Sequence, residues 1–212
     1  RVAAGFVKRE GQDELFDAIF TRAEPRTVLT GMRGSGKTQL ASAVTTKCEE
    51  EDWPIVAWIH AASRAEIIAD LYELATLAGI DAPKDAPPET IIRRFLGQLR
   101  AADAADRLFV FDNVENLDDL KDLIPEGKDI RVTITTTRHL DWDSLGWLPL
   151  TVGVFDREQS ITLLCGRTGD AHRDAADRIA DALGDLPVAV TQAAATAKSG
   201  RYSLSNYLER LS

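Results

Sequence analysis

The segment Gly31-Met32-Arg33-Gly34-Ser35-Gly36-Lys37-Thr38 concentrates the chemistry of this chain. Its spacing of Gly, four residues and Gly-Lys-Thr is that of a phosphate cradle, provided that a strand precedes it and a helix follows. The β-branched run Thr27-Val28-Leu29-Thr30 stands before it, and a helix is expected from near Gly36. Glycines let the backbone curl so that its N–H groups converge on phosphate oxygens, and the helix adds the positive end of its dipole. Lys37 is expected to reach the β- and γ-phosphates of ATP or ADP, and the Thr38 hydroxyl to ligate Mg²⁺. The plainer alternative is a glycine-rich turn carrying a solvated lysine.

A threonine alone does not hold Mg²⁺, so a carboxylate at a neighbouring strand end is required. Asp112 closes the apolar run Leu108-Phe109-Val110-Phe111 and meets that need, although a strand-end Asp can also be a turn former. Asn113 follows where many hydrolases have a second acid. Glu115 is then the nearest general base, or equally a solvated residue at a helix start. Arg138 follows the run Val132 to Thr136, which puts it at the carboxyl edge of the sheet. There it either contacts the γ-phosphate or is a surface arginine in a loop. The catalytic candidates are Lys37, Asp112, Glu115 and Arg138; the metal candidates are Thr38 and Asp112.

The elements that must position these groups alternate along the chain. Strand-like runs are Thr27 to Thr30, Ile55 to Ile59, Leu108 to Phe111, Val132 to Thr136 and Leu148 to Val154. Between them, Ile67, Ile68, Leu71, Leu74 and Ala75 form one helical face, and Ile91, Ile92, Phe95, Leu96 and Leu99 another. The alternation predicts an α/β fold, a parallel sheet of about five strands flanked by helices. Gly79 to Pro88, with three prolines, reads as a surface loop. After Val154 only helical patterns follow. Asp156 and Gln159 suggest a capping box opening a helix to about Leu164, and Ile179, Ala182 and Leu183 mark a second apolar face. Pro187 suits the first turn of a third helix to about Lys198, and Ser203 can cap a fourth. The boundary is expected near Phe155, giving a P-loop domain over 1–154 and a small all-helical domain over 155–212.

Composition narrows the function classes. The chain has 212 residues with 25 Lys plus Arg against 34 Asp plus Glu, a formal charge of -9 without an acidic tail. This argues against direct nucleic-acid binding, which needs a basic stripe. Cys48 and Cys165 stand far apart with no metal-like spacing and read as buried thiols in a reducing compartment. No apolar stretch is long enough to cross a membrane and no secretory leader is evident, so a cytoplasmic location is expected. The chain begins at Arg1 and ends on a helical pattern from Ser203 to Leu211, as a piece of a longer protein would.

In this order the segments resemble the NB-ARC branch of the STAND ATPases, in particular the bacterial regulators. Other members are plant disease-resistance proteins and apoptotic-protease activators. Phe6-Val7-Lys8-Arg9-Glu10 is similar to the family's N-terminal element, which lies against the adenine; Lys8 stands in place of its glycine, while Val7 and Arg9 match. Gly31 to Thr38 resembles its P-loop, including the Met, Leu108 to Glu115 its Walker-B segment, and Thr135-Thr136-Thr137-Arg138 its sensor arginine. Gly184-Asp185-Leu186-Pro187-Val188-Ala189 is similar to its Gly-Leu-Pro-Leu motif with one residue inserted, whose proline packs on the adenine. The resemblance implies nucleotide contacts from Val7, Arg9, Arg33, Gly34, Ser35, Gly36, Lys37, Thr38, Gln39 and Pro187. It makes residues 155–212 an ARC1-like domain.

Members of this family continue into a winged-helix domain, whose histidine contacts the β-phosphate in the ADP state, and then into a repeat sensor. The sequence stops before both, and His60, His139 and His172 read as surface or packing residues. The resemblance implies a switch held closed by ADP, which assembles with its own kind in the ATP state and hydrolyses ATP slowly. The alternative is a stand-alone P-loop ATPase or phosphotransferase, but no acceptor pocket with its own acid or base stands out. A third possibility is a degenerate domain that binds nucleotide as a structural element.

Overall fold

The computed structural model describes residues 11–80, 86–102 and 105–211. They divide into two compact units, one of residues 11–31 and 37–151, the other of residues 32–36 and 152–211.

The first unit is built on β1 (Arg26–Thr30), β2 (Ile55–His60), β3 (Arg107–Asp112), β4 (Ile130–Thr136) and β5 (Leu148–Thr151). All pair in parallel, in the order β2-β3-β4-β1-β5. Leu108, Phe109, Val110 and Phe111 are fully buried, as an uninterrupted apolar run in a strand covered on both faces requires. The helices are α1 (Gln12–Phe16), which runs into a π-helical turn at Asp17–Thr21, α2 (Lys37–Glu50), α3 (Arg64–Leu77) and α4 (Pro88–Ala101). A 3₁₀ turn, Leu117–Leu120, follows β3.

Side chains settle the helix ends. The Ser63 hydroxyl accepts from the Glu66 amide at 3.4 Å and caps α3. At the far end of α4, the buried Arg107 guanidinium donates to the carbonyls of Leu99 at 3.0 Å and Lys128 at 3.1 Å. At Leu99 it thus supplies a partner that the last helical turn lacks. Ile67, Leu71 and Ala75 of α3 and Ile91, Ile92, Phe95 and Leu99 of α4 enter one core with β2, β3 and β4.

Two local expectations are corrected. β5 ends at Thr151, not Val154, because its partner β1 ends at Thr30 where the glycine loop begins, and Thr30 pairs with Thr151. Pro87 and Pro88 are not loop residues but the N-cap and first turn of α4, where a missing N–H costs nothing.

The second unit contains α5 (Arg157–Thr168), α6 (Arg173–Ala182), α7 (Pro187–Ser199) and α8 (Leu204–Leu211). Its core joins Phe155, Ile161, Leu164, Ile179, Val190 and Leu204. The capping box is present: the Asp156 carboxylate accepts from the Gln159 amide at 2.7 Å, and the Gln159 side chain from the Asp156 amide at 3.0 Å. The Ser203 hydroxyl accepts from the Asn206 amide at 3.2 Å. α5 continues past Leu164 to Thr168 and stops at Gly169, a left-handed residue with φ 73°. Ala182 is exposed, because Ala175, Ala176, Ile179 and Ala180 form the inward stripe of α6. Of the two thiols only Cys48 is buried, its pKa pushed up to about 12 chiefly by burial; Cys165 is half-buried.

The inserted Asp185 anchors this unit. It takes a left-handed φ of 53° and its carboxylate receives the Arg157 guanidinium at 3.1 and 2.9 Å, while Arg157 also donates to Asp177 at 3.1 Å and Asp181 at 3.0 Å. Burial pushes the Asp185 carboxyl upward, but the hydrogen-bonded Arg157 guanidinium outweighs it and holds the carboxyl below its ordinary value. No helix among the described residues is long and apolar enough to cross a membrane.

Candidate functional site

In a parallel sheet the strands end on one edge, and the chemistry predicted from sequence gathers there. β1 delivers Gly31, β3 ends on Asp112 and β4 on Thr136. Gly36 takes a φ of 92°, a turn that admits glycine with little strain, and α2 begins at the next residue. Lys37 is 8% exposed and its Nζ donates to the Gly31 carbonyl at 2.8 Å, so the ammonium is folded back to the end of β1.

The Thr38 hydroxyl donates to Asp112 Oδ1 at 2.9 Å, joining the first turn of α2 to the end of β3. A second hydroxyl, that of Thr135 on β4, donates to the same oxygen at 2.5 Å and accepts the Asn113 N–H at 2.8 Å. Thr136 donates to the Val114 carbonyl at 2.6 Å and accepts the Arg138 N–H at 3.0 Å. Arg138 Nε donates to the Glu115 carbonyl at 2.8 Å, and the Asn113 side-chain amide to Glu115 Oε1 at 3.4 Å. Lys37, Thr38, Asp112, Asn113, Glu115 and Arg138 are thus brought to one edge. Glu115 and Arg138 are exposed there.

Sequence reasoning missed Thr135 and Thr136. The available signal was a run of threonines closing a strand that is otherwise apolar; a buried hydroxyl in such a place must find a partner. His60, at the end of β2 in register with Asp112, is exposed and shares a hydrogen bond with Asp70 at 2.9 Å. Gln39 is half-buried and lines a groove with Thr38, Ser42, Thr45 and Glu49 on one side and Val56, Ala57 and Trp58 on the other.

Within the second unit, residues 32–36 lie against the start of α7. The Val188 N–H, one of the donors left over at a helix N-terminus, donates to the Gly34 carbonyl at 3.2 Å. Gly34 takes a φ of 83°, and a Cβ there would stand 2.5 Å from Val188 Cγ1. Ser35 and Pro187 are buried, Met32 and Arg33 exposed. Val7 and Arg9 lie outside the described residues.

The described residues contain no cluster of three or more His, Cys, Asp or Glu able to hold a metal by themselves. That is not what Mg²⁺ asks for beside a phosphate: it takes one or two hard oxygens from protein and the rest from water and phosphate. A hydroxyl and a carboxylate in mutual contact, Thr38 and Asp112, fit that donor set.

Among solved structures, the chain is similar to a STAND protein with a tetratricopeptide repeat sensor from Pyrococcus horikoshii: 16% identity, TM-score 0.54, covering 88% of this chain and 29% of that one. It is also similar to the ORC2 protein of Aeropyrum pernix, with 14% identity, TM-score 0.62, and 100% and 69% of the two chains covered. Cdc6p from Pyrobaculum aerophilum gives 17% identity, TM-score 0.63, and 94% and 66% covered. At these identities the likeness shows the P-loop NTPase fold. The chain spans less than a third of the first of these proteins and about two thirds of the others. No curated protein matches it in sequence. The family model described as NB-ARC domain matches residues 10–173, a stretch that takes in the glycine loop, Asp112 and Arg138. The chain therefore belongs to the NB-ARC domain family.

Proposed function

We propose that this chain is a nucleotide-dependent switch domain that binds ADP and ATP with Mg²⁺ and hydrolyses ATP slowly, as part of a larger signalling protein. The observation that carries this is the hydrogen bond from Thr38 to Asp112, next in sequence to a buried lysine folded back to the end of β1. The loop's N–H groups and the start of α2 take the phosphates, and Lys37 moves its ammonium from the Gly31 carbonyl to their oxygens. Thr38 and Asp112 would hold Mg²⁺, which would supply positive charge to neutralise the phosphates. Arg33, Gly34, Ser35, Gly36 and Gln39 complete the phosphate side, and Val7, Arg9 and Pro187 the adenine side.

Arg138 senses the γ-phosphate in this reading, and Glu115 orients the attacking water. A switch requires that the two nucleotides bind its states with different free energy, and only ATP offers a γ-phosphate to Arg138. Residues 1–154 are the P-loop domain and residues 155–212 the ARC1-like helical domain. Winged-helix and repeat sensor domains supply input and output, and the ATP state assembles with its own kind. The net charge of -9 favours protein partners over direct nucleic-acid contact, in the cytoplasm. Chromatography of nucleotide released from the purified protein tests the reading. ADP or ATP in near-stoichiometric amount supports it; rapid steady-state turnover, abolished by Lys37→Ala, would make the chain a working enzyme instead.

A further inference from the structure

Every residue of β4 is buried, including the threonines at 133, 135 and 136. Thr133 satisfies its hydroxyl with Thr27 on β1 at 2.8 Å, a neutral pair inside the sheet. Thr135, two residues on and on the same face, meets a charged group instead. The direction of its hydrogen bonds is fixed by chemistry. The Asn113 N–H at 2.8 Å can only donate, and Asp112 Oδ1 at 2.5 Å, as a carboxylate, only accepts. The Thr135 proton is therefore committed to Asp112. Thr38 donates to the same Oδ1, whereas Oδ2 has no hydrogen-bond partner among the described residues.

We propose that Thr135 is a positioning residue for the metal carboxylate: with Thr38 it fixes Asp112 through Oδ1, which leaves Oδ2 as the oxygen offered to the divalent cation. The proposal rests on the reading of the site given above. Thr38 cannot do this alone, because it is itself an expected ligand of that cation and its lone pairs turn toward it. Thr135 sits behind the site on β4, so its hold does not depend on what binds. Its second bond also fixes the peptide after Asp112, where Asn113 takes a left-handed φ of 65°. The strand that ends near Arg138 thereby supports the carboxylate of its neighbour β3.

The test compares ADP affinity in excess MgCl₂ with that in EDTA, by calorimetry on the whole chain. The parent gains affinity when Mg²⁺ is present. In Thr135→Val, which keeps the shape and loses the donor, that gain falls roughly tenfold while affinity in EDTA holds, as expected for a lost hydrogen bond to a charged group. Thr135→Ser restores the gain. Thr133→Val, which breaks the neutral pair on the same strand, lowers stability and leaves the gain intact. A full Mg²⁺ gain in Thr135→Val, or equal losses in MgCl₂ and EDTA, overturns the positioning role while the nucleotide reading stands. A parent that binds ADP in neither buffer overturns both.

Discussion

Gly34 is where the glycine loop and the Leu186-Pro187-Val188 turn meet, and Gly34→Ala measures how tightly. The added Cβ faces two penalties. A φ of 83° costs an L side chain about 1–2 kcal/mol, and the contact at 2.5 Å with Val188 Cγ1 forces a shift worth about 1–3 kcal/mol. The sum, about 2–5 kcal/mol, is a large part of the stability of an ordinary domain. The two parts are separable, because Val188→Ala removes Cγ1. Val188 Cβ, at 3.3 Å, remains close, so relief is incomplete. Val188 is 55% exposed, and its own truncation should cost within about 0.5 kcal/mol. The double variant should thus recover about 1–2 kcal/mol relative to Gly34→Ala, leaving the backbone penalty. Urea denaturation followed by far-UV circular dichroism reads these differences, and ADP titration reads their effect on the loop. A Gly34→Ala variant as stable as the parent, or one that Val188→Ala does not help, would refute this packing.

Arg138→Ala should reduce affinity for ATP more than for ADP, since only ATP carries the γ-phosphate; calorimetry giving equal losses would leave Arg138 as the support of the Glu115 carbonyl only. Turnover by the parent should be on the order of 10⁻³ per second or slower, the range of P-loop sites lacking an arginine finger. Asn113→Glu should not raise it and should lower stability by about 1–2 kcal/mol, because position 113 needs a left-handed backbone; faster turnover in a coupled phosphate assay would show that a missing acid was the limit. The Asp185 and Asp170 carboxyls both lie below their ordinary value of 3.8, Asp170 mainly through the Leu204 N–H and then through His172. A depressed carboxyl stabilises the fold fully above that value and ceases to do so as pH falls below it. Urea midpoints should therefore drop below about pH 4, and Asp185→Asn should flatten that drop; parallel profiles would assign it to other groups.

The sheet and the glycine loop were legible because their signals are local. Phe109 and Phe111 sit in an unbroken apolar run, and the Gly-Lys-Thr triplet follows one strand and opens one helix. Asp112 was legible for the same reason, as a charge closing such a run. Other features depend on partners distant in sequence. The hydroxyl of Thr135 is defined by Asp112, 23 residues earlier, and the length of β5 by where β1 stops. In the sequence Asp185 reads only as one inserted residue, because its partner, Arg157, lies 28 residues away on another helix. Asn113 was legible as a missing acid, but its backbone turn was not, and that turn gives asparagine a conformational reason to be there.

Gly31 to Thr38 is proposed to hold the phosphates of an adenine nucleotide. Isothermal titration of ATP with Mg²⁺ into the parent and into Lys37→Ala tests it most directly. Lys37 is nearly buried and would form charge-assisted hydrogen bonds to two phosphates, each worth about 1.5–3 kcal/mol. One saturable site is expected in the parent, and a loss of at least a hundredfold in Lys37→Ala. Absence of binding to the parent, or equal affinity in the two proteins, would contradict that placement of the phosphates.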